Sequence, residues 1–461
     1  MSYLELSWHI GYGPACVRFF KNLYALSLGV LGSLEVLAQG VSPSVGGLTA
    51  SPTRLSPNSV FWNPATIGGA VNPEIEANLA LLGAWLIYDR DSGDGRLYDS
   101  SSTGIIAPNP FLSIASGFAT TNWRFGYATY FPTGAIADYQ SDGSQRYDLI
   151  SAMFLPWQHQ FSLAYNPTPK LTLAAAFIYS VAFFKSELDI DMSPMFSKLL
   201  DLPDEFREQA SLSSRVTIPT STAHSFGGSF GLLYRPDIQW SLGLSFLLPM
   251  RYVFQTDMMV GRASFFQGIN VAADSAGYQE NNAVRSQVEI ETPAVIGAGL
   301  RYQPFGYWTG EYFGRYVLGS MTRFTTIRFQ SSNIERLNQS QRLGAKASDS
   351  WLIGSNQSFS LWKNLQTGVV GSFHWNGVDD KLLSTSRVDF DTLSVGLFGR
   401  YRWNSKLNLG VEYGHSFMFE RTVTNSQTPP SESMDLIVNP ESNGRYRASM
   451  DRLAVSLHYA F

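Results

Sequence analysis

The side chains that could do chemistry in this 461-residue chain are few and scattered. Its six histidines, His9, His159, His224, His374, His415 and His458, include no pair at the spacing that brings two imidazoles onto one metal ion. The stretch 89–95, DRDSGDG, has the acidic and glycine content of a calcium loop. Its positions are out of register, however, and Ser100 stands where the closing glutamate belongs, so a turn is the better reading. His224-Ser225 and His415-Ser416 set a base beside a hydroxyl, as an outer-membrane lipase would need. Neither comes with a nucleophile elbow or an identifiable third group, which argues against an enzyme. No metal and no cofactor is expected. The single cysteine, Cys16, offers no disulfide framework, and a net charge of −4 without a basic run gives nucleic acid nothing to bind.

The elements that carry these residues point to a membrane. Charged residues make up 15% and aromatics 14% of the chain, against about 25% charged in an average soluble domain. The longest oily stretch, 23–37, is interrupted by Ser27, Ser33 and Glu35 and falls short of the roughly 18 apolar residues a spanning helix needs. A membrane protein without helices must close its sheet, because every backbone N–H and C=O in hydrocarbon needs a partner within the protein. The last segment fits such a wall. Leu453, Val455, Leu457, Tyr459 and Phe461 alternate with Ala454, Ser456, His458 and Ala460, giving one oily face and one small or polar face.

Alternating segments at 75–88, 111–120, 122–131, 149–156, 160–166, 171–184, 224–235, 239–254, 288–303, 307–330, 361–375, 392–403, 406–421 and 450–461 predict an all-β chain, a transmembrane antiparallel β-barrel of about 14 strands. Aromatics near their ends, among them Tyr127, Tyr130, Phe131, Tyr302, Trp308, Trp375, Tyr401 and Trp403, suggest girdles at the two membrane boundaries. The polar insertions 257–287, 331–349 and 423–445 read as outside loops. Arg18 and Lys21 ahead of 23–37, with Val36-Leu37-Ala38 as a cleavage point, suggest an export signal over 1–38. In 56–69, SPNSVFWNPATIGG, enforced turns surround Val60, Phe61 and Trp62; a covered segment and an ordinary linker both fit. The insertion 191–213 has helical spacing, with Met195, Phe196, Leu199 and Leu200 on one face and Pro203 breaking the run. Its oily face either packs as a plug or lines a pocket for an apolar ligand.

In order, these segments resemble the FadL/TodX family of outer-membrane channels for long-chain fatty acids and aromatic hydrocarbons. VFWNPAT (60–66) is similar to the Asn-Pro-Ala element of that family's N-terminal hatch, and YFPTGAIADY (130–139) is similar to its Gly-Leu-Ala-Thr-Glu-Phe region, with Ala-Ile-Ala-Asp in place of Leu-Ala-Thr-Glu. FSLAYNPTPKLTLAAAFIYS (161–180), FGLLYRPDIQWSLGLSF (230–246) and ETPAVIGAGLRYQP (291–304) resemble its hairpins. The resemblance implies a monomeric fourteen-stranded barrel (75–461) in the bacterial outer membrane, its lumen plugged by an N-terminal hatch (39–74). An apolar ligand would be caught outside, passed to an internal pocket and released sideways at a kinked strand.

On this sequence the resemblance implies Asn63, Pro64 and Ala65 as the hatch element and Pro132 and Gly134 as the kink. A proline gives the ladder no donor and a glycine tolerates a bulge, although 131–134 also reads as a plain turn. The implied ligand contacts are Met195, Phe196, Leu199, Leu200 and Phe206, with Lys198 or Arg207 for a carboxylate head. Phe461 resembles the terminal aromatic read by barrel-assembly machinery. The partners implied are a fatty-acid-like hydrophobic molecule, outer-membrane lipid and lipopolysaccharide, and that machinery. The alternative is a non-transporting barrel that serves as a platform for assembly or secretion. A general porin is the third reading, and a hatch would block its ion conduction.

Overall fold

The computed structural model describes residues 45–91, 98–117, 122–132, 134–191, 193–194, 197, 208–261, 283–322, 325–329, 341–343, 348–427 and 442–461. The expected export signal at 1–38, with Cys16, and residues 39–44 lie outside these.

Fourteen antiparallel strands form one closed barrel. They are β1 (Glu74–Arg90), β2 (Ser101–Gly117), β3 (Trp123–Tyr130, resumed at Ala135–Asp138), β4 (Ser151–Thr168), β5 (Leu171–Asp191), β6 (Ser213–Tyr234) and β7 (Trp240–Leu247, resumed at Met250–Val260). The other half is β8 (Ala283–Thr292, resumed at Val295–Phe305), β9 (Trp308–Val317, resumed at Thr325–Phe329), β10 (Gln341–Leu343, resumed at Ser350–Trp362), β11 (Leu365–Trp375), β12 (Thr392–Arg402), β13 (Leu407–Val423) and β14 (Gly444–Ala460). Each strand pairs with its sequence neighbour, and β1 pairs with β14 without interruption from Glu74↔Ala460 to Arg90↔Gly444, which closes the ring. Phe461 N–H donates to Pro73 O (3.0 Å) just beyond that seam.

Period-two burial follows from this closure. On β14, Leu453, Val455 and Leu457 face out, while Ala454 and Arg452 are buried. On β4, Trp157, Phe161 and Leu163 face out and Gln158, Gln160 and Ser162 face in. Turns at one end are short, and outward aromatic pairs mark that boundary: Trp123–Tyr165 (4.6 Å) and Trp240–Tyr302 (4.1 Å). At the other boundary Trp351 stacks on Trp375 (4.3 Å). Tyr130 is not a girdle residue; it points inward and is 1% exposed.

The strand count agrees with the sequence, but several strand assignments need correcting. The segments expected at 149–156 and 160–166 are one strand, β4, in which Gln158 faces in and His159 faces out and together interrupt the apolar alternation. Conversely, most of β10 was not anticipated, because its middle, Ser355-Asn356-Gln357-Ser358, has no apolar residue to signal a strand. β2 also begins ten residues earlier than its expected start at 111, running through Pro108 and Pro110.

At the long-loop end the barrel is capped by 139–150 and 376–391, whose Tyr139, Leu149, Val378, Leu383 and Phe390 pack on Leu86, Tyr88 and Tyr446 of the wall. Asp148 sits in this cap, 5% exposed, accepting from Ser442 Oγ (2.5 Å). Burial pushes its carboxyl up to about 6. Since the folded pKa lies above the unfolded one, the protonated acid stabilises the cap fully below pH ~4, and this contribution is lost as pH rises through about 6. Asp148→Asn is therefore expected to strengthen the cap at pH 7 by roughly 2–3 kcal/mol and to flatten its pH dependence between 4 and 7. Amide hydrogen exchange across 139–150 reads this directly; an unchanged pH profile in the variant would contradict it.

Candidate functional site

Residues 45–73 lie against the inner face of the wall and are mostly buried. Two short 3-10 turns, Pro57–Ser59 and Pro64–Gly69, give the segment its shape. Asn63 caps the second: its Oδ1 accepts from Ala65 N–H (2.9 Å), and Pro64 follows at the first helical position, where no N–H is needed. Its Nδ2 donates to Pro52 O (2.9 Å) and to Leu232 O of β6 (3.0 Å). Asn63 and Ala65 are both 0% exposed. The Asn63 side chain thus both folds the segment on itself and ties it to the wall.

Inward polar residues hold it elsewhere around the ring. Glu311 on β9 accepts from Ser51 and Thr53, and Glu76 on β1 accepts from Ser56. Glu412 on β13 accepts from Leu48 N–H (3.0 Å) and pairs with Arg452 on β14 (2.7 Å). Gln160 on β4 donates to Val60 O (3.0 Å). The Arg315 guanidinium lies 3.8 Å over the Trp62 ring and 4.3 Å over Phe61, and donates to Phe61 O (3.2 Å).

A break in the wall adjoins this segment. β2 and β3 pair from Phe111↔Tyr130 to Gly117↔Arg124 and no further, so Ser101–Pro110 has no ladder partner on β3 among the described residues. Beyond the break, among the described residues, Asp138 N–H donates to Thr103 Oγ1 (2.9 Å), and Ser102 N–H donates to Oε1 of Gln140, just past the end of β3 (3.3 Å). On the other side of β3, Tyr130 pairs with Gln158 and Ala135 with Phe154, so four residues, 131–134, stand against three, 155–157. That extra residue is a bulge, and Pro132 and Gly134 are in it.

The sequence reading did not use Pro108 and Pro110. The β1–β2 ladder runs unbroken through Leu81↔Pro108 and Leu79↔Pro110. A proline permits this only where its missing N–H faces away from that neighbour, which here is towards β3. Two consecutive donors that would have stitched β2 to β3 are thereby absent.

Apolar groups line the break on both sides. Inside, Phe61 meets Tyr130 edge-on (5.2 Å) and Tyr130 stacks on Phe111 (5.4 Å). Above them Phe154, Phe184, Tyr252 and Phe254 are fully buried and in mutual ring contact, Phe154 being the residue opposite Ala135. Outside, Phe131 stacks on Trp157 (6.1 Å) beside a depression of about 790 Å³ bounded by Leu79, Pro110, Leu112, Thr129 and Leu457.

The other expected residues divide as follows. Met195, Phe196, Lys198, Leu199, Leu200, Phe206 and Arg207 lie outside the described residues. Nearby, Glu208 is paired with Arg90 on β1 (2.7 Å). Ser416 and His415 point to opposite faces of β13: Ser416 bonds Ser394 (2.8 Å), whereas His415 bonds Asp451 (2.8 Å), so adjacency in sequence does not bring them together. Phe461 is exposed, its ring 4.9 Å from Tyr459.

The sequence profile of the family described as "Outer membrane protein transport protein (OMPP1/FadL/TodX)" matches residues 35–461. The chain belongs to this family. Membership makes it a bacterial outer-membrane, multi-pass β-barrel in a family that transports hydrophobic compounds. Its fold is similar to that of a Pseudomonas aeruginosa FadL homologue, at 13% identity and a TM-score of 0.75, covering 94% of this chain and 98% of that one. It is also similar to the P. putida toluene transporter TodX, at 15% identity and a TM-score of 0.65, covering 93% and 99%. The Ralstonia pickettii toluene transporter TbuX gives 14% identity and a TM-score of 0.60, covering 93% and 99%. No curated protein matches the chain by sequence.

The hold of Asn63 on the N-terminal segment is testable. A Cβ on Gly231 would come within 2.0 Å of Asn63 Oδ1. Both Asn63→Ala and Gly231→Val are expected to loosen the segment, at a cost on the order of 2–4 kcal/mol, while leaving the barrel folded. Single-channel conductance in a planar bilayer should rise in both variants, and conductance equal to wild type would contradict the assignment.

Proposed function

We propose that this protein takes up a hydrophobic molecule, a long-chain fatty acid or an aromatic hydrocarbon, from outside the cell and releases it sideways into the membrane between β2 and β3. The observation that carries this reading is the unpaired stretch Ser101–Pro110 facing the bulge at 131–134, with Phe61, Phe111 and Tyr130 inside it and an apolar depression outside. Residues 45–73, with Asn63, Pro64 and Ala65, act as the hatch that closes the axial route, and Pro132 and Gly134 form the kink that keeps the side route available.

Energetics favour the side route. Each methylene gains roughly 0.8 kcal/mol on leaving water, so a water-filled axial pore would work against a long acyl chain at every step. A gap opening directly into lipid never asks the chain to be rehydrated. The inward aromatics Phe154, Phe184 and Phe254 support an apolar approach to that gap from the loop side. A barrel acting only as a platform has no need of a wall that fails to pair.

Restoring the ladder should abolish transport. Deleting Gly134 removes the extra residue of the bulge, and Pro108→Thr with Pro110→Thr returns two donors to β2. The combined variant is expected to unfold at an equal or higher temperature than wild type and to lose at least about tenfold in uptake of fluorescent fatty acid or radiolabelled toluene into proteoliposomes. Undiminished uptake with the ladder restored would sink lateral release.

A further inference from the structure

The outer wall next to the break carries a row of polar rings where lipid should meet apolar side chains. Tyr127, His159, Tyr179 and His224 come from four successive strands, β3 to β6. Neighbouring rings in the row are 6.2, 6.0 and 5.9 Å apart and nearly parallel, at 19°, 22° and 10°. Tyr127 hydroxyl bonds His159 Nδ1 (2.9 Å) and Tyr179 hydroxyl bonds His224 Nδ1 (2.8 Å). All four face outward, on the same side of their strands as Phe161 and Phe177, and none is buried.

Their depth makes the row unusual. His159 is six residues along β4 from the boundary aromatic Tyr165, which on a strand tilted by about 40° is a rise of about 15 Å. That lies within an apolar band about 25 Å tall. Ionisable and polar groups at such depth are costly and mark functional sites by default. A phenol in hydrocarbon must give its proton to an acceptor, so each tyrosine donates to Nδ1, and the imidazole proton then sits on Nε2. Among the described residues neither His159 Nε2 nor His224 Nε2 has a protein partner. The row therefore presents N–H donors to the lipid side and calls for a ligand that brings an acceptor.

Its position relative to the break completes the picture. Trp157 Nε1–H donates to Thr129 Oγ1 (2.7 Å), and Thr129 stands directly opposite His159 in the ladder. Thr129 and Trp157 also line the apolar depression of about 790 Å³, a volume in the range of small-molecule sites. One end of a molecule leaving the break would rest on Leu79, Leu112 and Leu457, and the other would reach His159.

We propose that this row is an exit station for the carboxyl group of a long-chain monocarboxylic acid that has passed through the barrel, with its acyl chain in the adjoining depression. The assignment rests on lateral release as argued above and sharpens it: the cargo includes amphipathic acids, since a plain hydrocarbon has nothing to offer the Nε2 donors. The ligand is the free acid and not the ester carbonyl of a bilayer phospholipid.

The test uses the full barrel in phosphatidylcholine nanodiscs and two photoreactive probes, palmitic acid and hexadecane, each carrying a diazirine near one end, next to the carboxyl in the acid. Crosslinks of the acid probe are expected at Tyr127, His159 and Tyr179. Replacing the row with His159→Phe, His224→Phe, Tyr127→Phe and Tyr179→Phe, which keeps rings on the lipid face, should lower acid labelling by about tenfold and leave hexadecane labelling unchanged. A wild-type row carrying His159→Gln alone, which keeps a donor, should retain most of the labelling. Equal acid labelling of wild type and the all-phenylalanine barrel would overturn the proposal. So would competition by added phosphatidylethanolamine but not by free palmitate, because the row would then belong to bilayer lipid. Labelling is read without a gradient, so uptake that persists when the wall is closed would count against lateral release and leave acid binding at the row standing.

Discussion

An amide in hydrocarbon has no solvent to bond, and an unmet one costs several kcal/mol. That constraint dictates the closed ring, the continuous β1–β14 seam and the sharp division between outward and inward residues. It also bears on how the break in the β2–β3 ladder is tolerated. Where the ladder stops, at Pro108 and Pro110, β2 has no donor to leave bare towards β3. The bulge at 131–134 then carries the facing strand away, and the aromatic pair Phe111–Tyr130 fills the inner side. At the two prolines the ladder stops by omitting donors, which is compatible with lipid, whereas leaving them unsatisfied is costly.

Inside, the barrel is neither an aqueous pore nor an ordinary core. At the level of residues 45–73 the wall turns charged groups inward, and nearly every one is answered by the N-terminal segment or by another wall residue. The Glu412–Arg452 pair is only 4% exposed on each side and is further satisfied by Leu48 N–H and Asn78 Oδ1. A buried pair of this kind adds little net stability over an apolar substitute but is strongly disrupted when one partner is lost. Loss of Arg452 would leave Glu412, and with it the tie to Leu48 N–H, uncompensated. Towards the loops the inward set becomes aromatic and aliphatic, so polarity changes along the axis close to where the wall breaks.

The barrel is legible in the sequence because lipid on one side and a filled lumen on the other enforce a period of two over most strands. Reading fails where that contrast fades: Gln158-His159 splits β4 and the polar centre of β10 conceals it. The Asn-Pro-Ala element stands out because a capping side chain followed by proline has a definite turn chemistry, and Asn63 does cap the turn that Pro64 opens. Pro132 and Gly134 are readable as a disturbance in a strand. That Pro108 and Pro110 belong to the same disturbance is not, because it depends on which neighbour each residue's N–H faces, a property of register and not of composition. The row from Tyr127 to His224 is likewise invisible in one dimension, its four members lying on four strands.

The ties of the N-terminal segment have a bearing on biogenesis. Leu48, close to the start of the described chain, is bonded to Glu412, and Glu412 is held by Arg452 on the last strand. The earliest residues of this segment thus find their anchor only when the final hairpin, β13 with β14, has arrived. The bond that seats Leu48 depends on β13 and β14 standing side by side, so the start of the segment and the closing hairpin share one anchor.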